Sequence, residues 1–68
     1  MARKKQSQSR KKYVTVKPGW SLEDVALAGG HNKPRAITTW SIITVLNGHD
    51  NWIKFNSSLT PGKKVRVK

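Results

Sequence analysis

Two short stretches of alternating apolar and polar residues, Tyr13-Val14-Thr15-Val16-Lys17 and Lys64-Val65-Arg66-Val67, stand at opposite ends of the apolar part of this chain. Each is rich in β-forming residues and repeats every second residue, so each is predicted to be a strand with one buried face. Neither can stand alone, because an isolated short strand buries too little. They have to find each other, antiparallel, and the rest of the chain has to cover one side of the pair. Pro18-Gly19 closes the first stretch and Pro61-Gly62 opens the second, and both are turn signals.

Between them the period changes to that of a helix. Ser21-Leu22-Glu23-Asp24 resembles a capping box with Asp in place of Glu. Both acids fall in the first turn, where the helix dipole favours negative charge. Leu22, Val25 and Ala26 lie at i, i+3 and i+4 and form a buried stripe, and Gly29-Gly30 ends the helix. A polar loop is expected from His31 to Ile37. A second helix follows, capped by Thr38 or Thr39, with Trp40, Ile43 and Leu46 inward, Ile42 beside them, and a stop at Asn47-Gly48. From His49 to Thr60 the sequence reads as a long loop holding Trp52 and Phe55. The order is strand, helix, helix, strand: an α+β fold, βααβ, with a two-stranded antiparallel sheet and two helices on one face.

A chain of 68 residues has room for one domain, and at this size only about 60% of the unfolded surface is buried. Small folds often add disulfides or a metal, but there is no Cys, and His31 and His49 have no Cys partner at ligand spacing. Tight local packing or burial against a partner is the expected remedy. Lack of Cys fits a reducing compartment.

The net charge is +11, from 14 basic residues against Glu23, Asp24 and Asp50. Six of the basic residues, Arg3, Lys4, Lys5, Arg10, Lys11 and Lys12, crowd into residues 1–12. That segment has no apolar residue after Ala2 and is expected to be an extended arm, disordered by itself, with the domain proper at 13–68. Polyanions are the natural partners of such a charge: nucleic acid, anionic lipid or wall polymer, or an acidic protein surface. No run approaches the ~20 apolar residues of a membrane span, and no apolar stretch follows the basic start as a secretory signal would require.

At three places the sequence resembles the LysM family. Tyr13-Val14-Thr15-Val16-Lys17-Pro18-Gly19-Trp20-Ser21-Leu22-Glu23-Asp24-Val25-Ala26 is similar to its opening pattern Y-x-V-x-x-G-D-T-L-x-x-I-A. Ile43-Thr44-Val45-Leu46-Asn47-Gly48 is similar to the end of its second helix. Leu59-Thr60-Pro61-Gly62-Lys63-Lys64-Val65-Arg66-Val67 is similar to its closing L-x-P-G-x-x-L-x-I. The resemblance implies a βααβ fold that binds N-acetylglucosamine-containing glycans, peptidoglycan or chitin, in a shallow groove between two connections. Carried onto this chain, those are Gly19-Trp20-Ser21-Leu22 and the stretch from Asn47 to Leu59. The family is also reused as a compact adaptor in phage tails and baseplates. Trp20-Ser21 stands where the family has Asp-Thr, and both loops around the second helix are longer than usual.

Gly19, Trp20, Ser21, Asn47, His49, Asp50, Asn51 and Trp52 are the candidate ligand- or partner-binding residues. Trp can stack on a sugar face or anchor a protein interface. Trp20 reads as exposed or interfacial, and Trp52 stands open between core and rim. Trp40 reads as core and Phe55 as core or loop anchor. The arm reads as a sequence-independent phosphate binder, a protein-embedded anchor or a solvated tail. Lys63, Lys64, Arg66 and Lys68 are expected on the solvent face of an edge strand. Nothing points to catalysis. Glu23 and Asp24 are neighbours already explained by their helix start, Asp50 is isolated, His31 and His49 read as ordinary surface, and no nucleophile–base set or phosphate loop is present. No cofactor or metal is expected.

The leading expectation is a non-catalytic structural adaptor in a larger assembly. A bacteriophage tail or baseplate, assembled in the host cytoplasm and carried in the virion, is its setting. A glycan-binding module is the alternative, and nucleic-acid binding through the arm is a third reading.

Overall fold

The computed structural model describes residues 11–68. Arg3, Lys4, Lys5 and Arg10 of the basic arm lie outside the described residues. The elements are β1 (Tyr13–Thr15), α1 (Leu22–Ala28), α2 (Ile37–Leu46), α3 (Trp52–Ser57) and β2 (Lys64–Arg66). β1 and β2 form the expected antiparallel pair, with Tyr13 opposite Arg66, Val14 opposite Val65 and Thr15 opposite Lys64. Backbone pairing runs past both strand ends. At one end, Lys12 N–H donates to the Lys68 carbonyl (3.2 Å) and Val67 N–H donates to the Lys12 carbonyl (2.8 Å).

The other end of the sheet is closed by the two Pro-Gly turns. Trp20 N–H donates to the Lys17 carbonyl and Lys63 N–H to the Thr60 carbonyl, each across a Pro-Gly pair. Proline sets the first central residue of such a turn, and the second needs a positive φ; Gly19 has φ +82° and Gly62 φ +91°. Gly62 also makes a β-bulge. Its N–H donates to the Val16 carbonyl, while Val16 N–H donates to the Lys63 carbonyl, both at 2.8 Å. Two residues thus oppose one, with glycine at the first bulge position.

α1 begins as expected after Ser21. The Asp24 carboxylate accepts the Ser21 backbone N–H at 2.9 Å and the Ser21 hydroxyl at 3.3 Å. The helix ends at Gly29-Gly30, where His31 N–H reaches back to the Ala26 carbonyl and Gly30 N–H to that of Leu27, a Schellman closure. α2 ends the same way, through His49 to Thr44 and Gly48 to Val45.

Three expectations about the connections are corrected. α2 starts at Ile37, two to three residues earlier than a cap at Thr38 or Thr39 would place it, with Ala36 as its N-cap and no capping side chain. Thr39, offered as a cap, is instead buried inside the helix. Among the described residues there are three helices and not two, because the stretch from His49 to Thr60, expected as a loop, contains α3. Its start is held by an N-cap: the Asn51 side chain accepts from Ile53 N–H (2.9 Å) and Lys54 N–H (3.2 Å). His31, expected as plain surface, donates from Nε2 to the Val67 carbonyl at 2.7 Å and ties the α1 exit to the last strand.

The core collects one stripe from each element. Val16, Val65 and Val67 come from the sheet and its margins, Leu22, Val25 and Ala26 from α1, Ile43 from α2 and Phe55 from α3. Phe55 is 1% exposed, a burial that contributes roughly 1.5–3 kcal/mol. α1 lies so close to the last strand that a β-carbon on Gly29 would fall 2.7 Å from Val67 Cγ2 and 2.9 Å from its Cβ.

Candidate functional site

A small cleft of about 80 Å³ opens where the start of α1 meets α2 and α3. Ser21, Leu22 and Glu23 form one wall, Trp40 comes from α2, and Trp52 and Asn56 come from α3. Small-molecule pockets run to several hundred Å³, so this cleft seats one face of a ring or one side chain of a partner rather than enclosing a ligand.

Its shape follows from α3. Trp52, Phe55 and Asn56 stand at i, i+3 and i+4, so one short helix directs all three toward the same side. Phe55 enters the core. Trp52 leans on Trp40, with ring centroids 4.9 Å apart at 51°, a tilted arrangement that such rings prefer. Asn56 Oδ1 accepts the Leu22 N–H at 2.8 Å, which satisfies an orphan donor in the first turn of α1. The Trp40 indole N–H donates to the Pro34 carbonyl at 2.7 Å. Its only donor is thus spent on the preceding loop, and its ring remains for apolar contact. Glu23, the one carboxylate of the lining, meets Arg35 Nε at 2.8 Å, with the two side chains 43% and 83% exposed. At that exposure the pair is screened and contributes little.

Of the candidate residues read from the sequence, Ser21 and Trp52 line the cleft. Trp20 is half-buried and packs against the core, with Lys17 Nζ 6.0 Å from its ring centroid. Gly19 shapes its turn. Asn47 is spent on bracing β2: its Nδ2 donates to the Ile43 and Arg66 carbonyls, and its Oδ1 accepts Arg66 N–H. Asn51 caps α3. His49 lies against Phe55, with ring centroids 4.9 Å apart, and Asp50 is exposed. Lys11 and Lys12, the described part of the arm, are exposed.

Leu22, Glu23, Trp40 and Asn56 join the cleft without having been singled out for it. Asn56 is legible only once Asn51 is seen as a cap, because its place on the cleft depends on the helical spacing from Trp52. Among the described residues no three His, Cys, Asp or Glu side chains stand close enough to share a metal ion, and no helix is long and apolar enough to cross a membrane. No family model, no curated protein and no solved structure matches the chain.

Proposed function

We propose that this chain is a non-catalytic, LysM-like adaptor that packs against another structural protein in a larger assembly of the bacteriophage tail or baseplate kind. The observation that carries this reading is the outer face of α2. Ile37, Ile42 and Val45 are 56%, 54% and 66% exposed, and Ile42 and Val45 adjoin Ser41 and Leu46 in one wholly apolar depression. None of the ten residues of α2 carries a charge. Exposed apolar side chains gathered on one uncharged helix are what a partner surface can cover. The occupant is a different protein with acidic residues around its contact, because a second copy would bring two chains of net charge +11 together. The LysM variety of the fold is part of the same proposal. The order β1, α1, α2, β2 and the antiparallel pairing support it, with α3 as an added helix in the last connection.

The test is incorporation into purified particles of the assembly that carries the chain. Ile42→Asp/Val45→Asp changes only exposed side chains, so the variant should fold yet be lost from particles. Incorporation at the wild-type level overturns the reading.

One observation favours a second reading. Trp40 and Trp52 stand together beside Ser21 and Asn56, which is aromatic surface with polar groups at its margin, the make-up of a sugar-stacking site. Titration with chitooligosaccharides, followed by tryptophan fluorescence, separates the two. A saturable change at millimolar sugar or below assigns the glycan, and a flat response leaves the adaptor.

A further inference from the structure

We propose that the outward face of the β-ribbon, with the sheet end where Lys12 and Lys68 meet, binds the phosphate backbone of nucleic acid. This surface belongs to the folded domain and shares no residue with the α2 face or the aromatic cleft.

The alternation of β2 leaves its cations no other place. Val65 and Val67 are 0% exposed, so Lys64, Arg66 and Lys68 fall on the opposite phase of the strand. Alternate residues of a strand are spaced about 6.6 Å apart. The register then sets Tyr13 beside Arg66 and Thr15 beside Lys64. Tyr13 is 54% exposed. Arg66 Nε donates to the Lys68 carbonyl at 2.9 Å, which steadies the guanidinium and leaves its terminal nitrogens for a forked contact with phosphate oxygens.

The strip continues around the end of the sheet. A β-carbon on Gly30 would lie 3.7 Å from both the Lys12 and the Lys68 ammonium nitrogens, so the two charges converge on one point. They do so at the C-terminal end of α1, whose dipole offsets part of their repulsion. Among the described residues no Asp or Glu side chain makes an ion pair with either. Glu23 and Asp24 lie in the first turn of α1, at its other end, and Asp50 lies between α2 and α3. The one ion pair among the described residues joins Glu23 to Arg35, and residues 1–10 contain no acid.

A scatter of surface lysines is ordinary. A regular row of cations, a second pair converging at its end and an exposed aromatic beside an arginine together fit a regularly charged polymer with stacking faces. Nucleic acid supplies both: phosphates for Lys12, Lys64, Arg66 and Lys68, and bases for Tyr13. An acidic protein surface supplies the charge without that repeat.

The experiment uses the full chain and labelled oligonucleotides, single-stranded and duplex, with affinity followed by fluorescence anisotropy over a range of salt. Lys64→Ala/Arg66→Ala is compared with Arg35→Ala/Lys54→Ala, which removes the same charge elsewhere, and thermal melting checks that both are folded. The face variant should bind about tenfold or more weakly and flatten the log K against log salt slope for duplex by about 2. The control should change neither much. Lys12→Ala/Lys68→Ala should behave like the face variant. Tyr13→Ala identifies the form bound: a loss confined to single strands assigns unpaired bases, and an equal response to both assigns the duplex backbone. Equal losses in face variant and control, no binding, or competition by polyglutamate as strong as by oligonucleotide would overturn the proposal.

Discussion

The side-chain amide of Asn47 meets the backbone of Arg66 in both directions, with Nδ2 donating to the Arg66 carbonyl at 2.9 Å and Oδ1 accepting the Arg66 N–H at 3.0 Å. A neighbouring strand would make the same two bonds. One residue at the end of α2 thus stands in for a third strand at the edge of a two-stranded sheet, which would otherwise be exposed to unwanted pairing. The same Nδ2 also holds the Ile43 carbonyl at 2.7 Å, so α2 and β2 are fastened at one point.

Replacing Asn47 should therefore loosen both elements. Asn47→Ala is expected to lower unfolding free energy by about 2 kcal/mol, the cost of leaving part-buried backbone groups without partners. Asn47→Asp keeps the acceptor but loses the donor and sets a carboxylate against two carbonyls, so it should be no better. Urea unfolding curves measure both. A midpoint unchanged for either variant contradicts the bracing role.

Gly29 and Val67 form a second coupled pair. Gly29 has an ordinary helical φ of −78°, so an alanine there is strained by contact alone. A valine is stiff about χ1 and cannot swing aside. Gly29→Ala should cost about 1–3 kcal/mol by overpacking. In Gly29→Ala/Val67→Ala the approaches to the two Cγ atoms are gone and only the 2.9 Å approach to Cβ remains, so the double variant should lose less than the sum of the singles. Additive losses in a double-mutant cycle would contradict it.

Phe55 tests whether α3 belongs to the folding unit or merely decorates it. Removing a buried phenyl costs about 3–5 kcal/mol, close to the whole stability of a chain this small. Phe55→Ala should leave the protein largely unfolded at room temperature by circular dichroism. Ile53→Ala, two residues earlier in the same helix and 60% exposed, should melt within a few degrees of the wild type. Similar melting of both variants would show α3 to be peripheral.

Asn56→Ala removes the partner of Leu22 N–H. A lost cap at a helix start costs about 1 kcal/mol. The expected result is a modest drop in melting temperature together with faster amide exchange at Leu22. Unchanged exchange at that amide would mean the bond contributes nothing in solution.

The strand pair, α1 and its cap, the end of α2 and most of the core follow from local pattern: alternation around Val14 and Val65, the Ser21–Asp24 box, Gly30 and Gly48 at left-handed closures. The individual elements depend on neighbours in the chain, so the amino-acid sequence by itself determined them; the pairing of Tyr13 with Arg66 and of Val14 with Val65 joins the two ends of the domain and follows because neither strand is stable alone. The start of α2 and the existence of α3 did not follow. Ala36 caps without a side chain, and a six-residue helix is too short to be stable except by packing, so Asn51-Trp52 looked like loop. Those elements exist because Phe55 and Trp52 find Ile43, Trp40 and Leu22 across the fold. The cleft is likewise a product of tertiary structure, since Leu22 and Asn56 are 34 positions apart and meet across it through a hydrogen bond that only the fold can make. Asn47, read as a rim residue, became a brace for the same reason: where a polar side chain spends its hydrogen bonds is decided by what folding brings within about 3 Å of it.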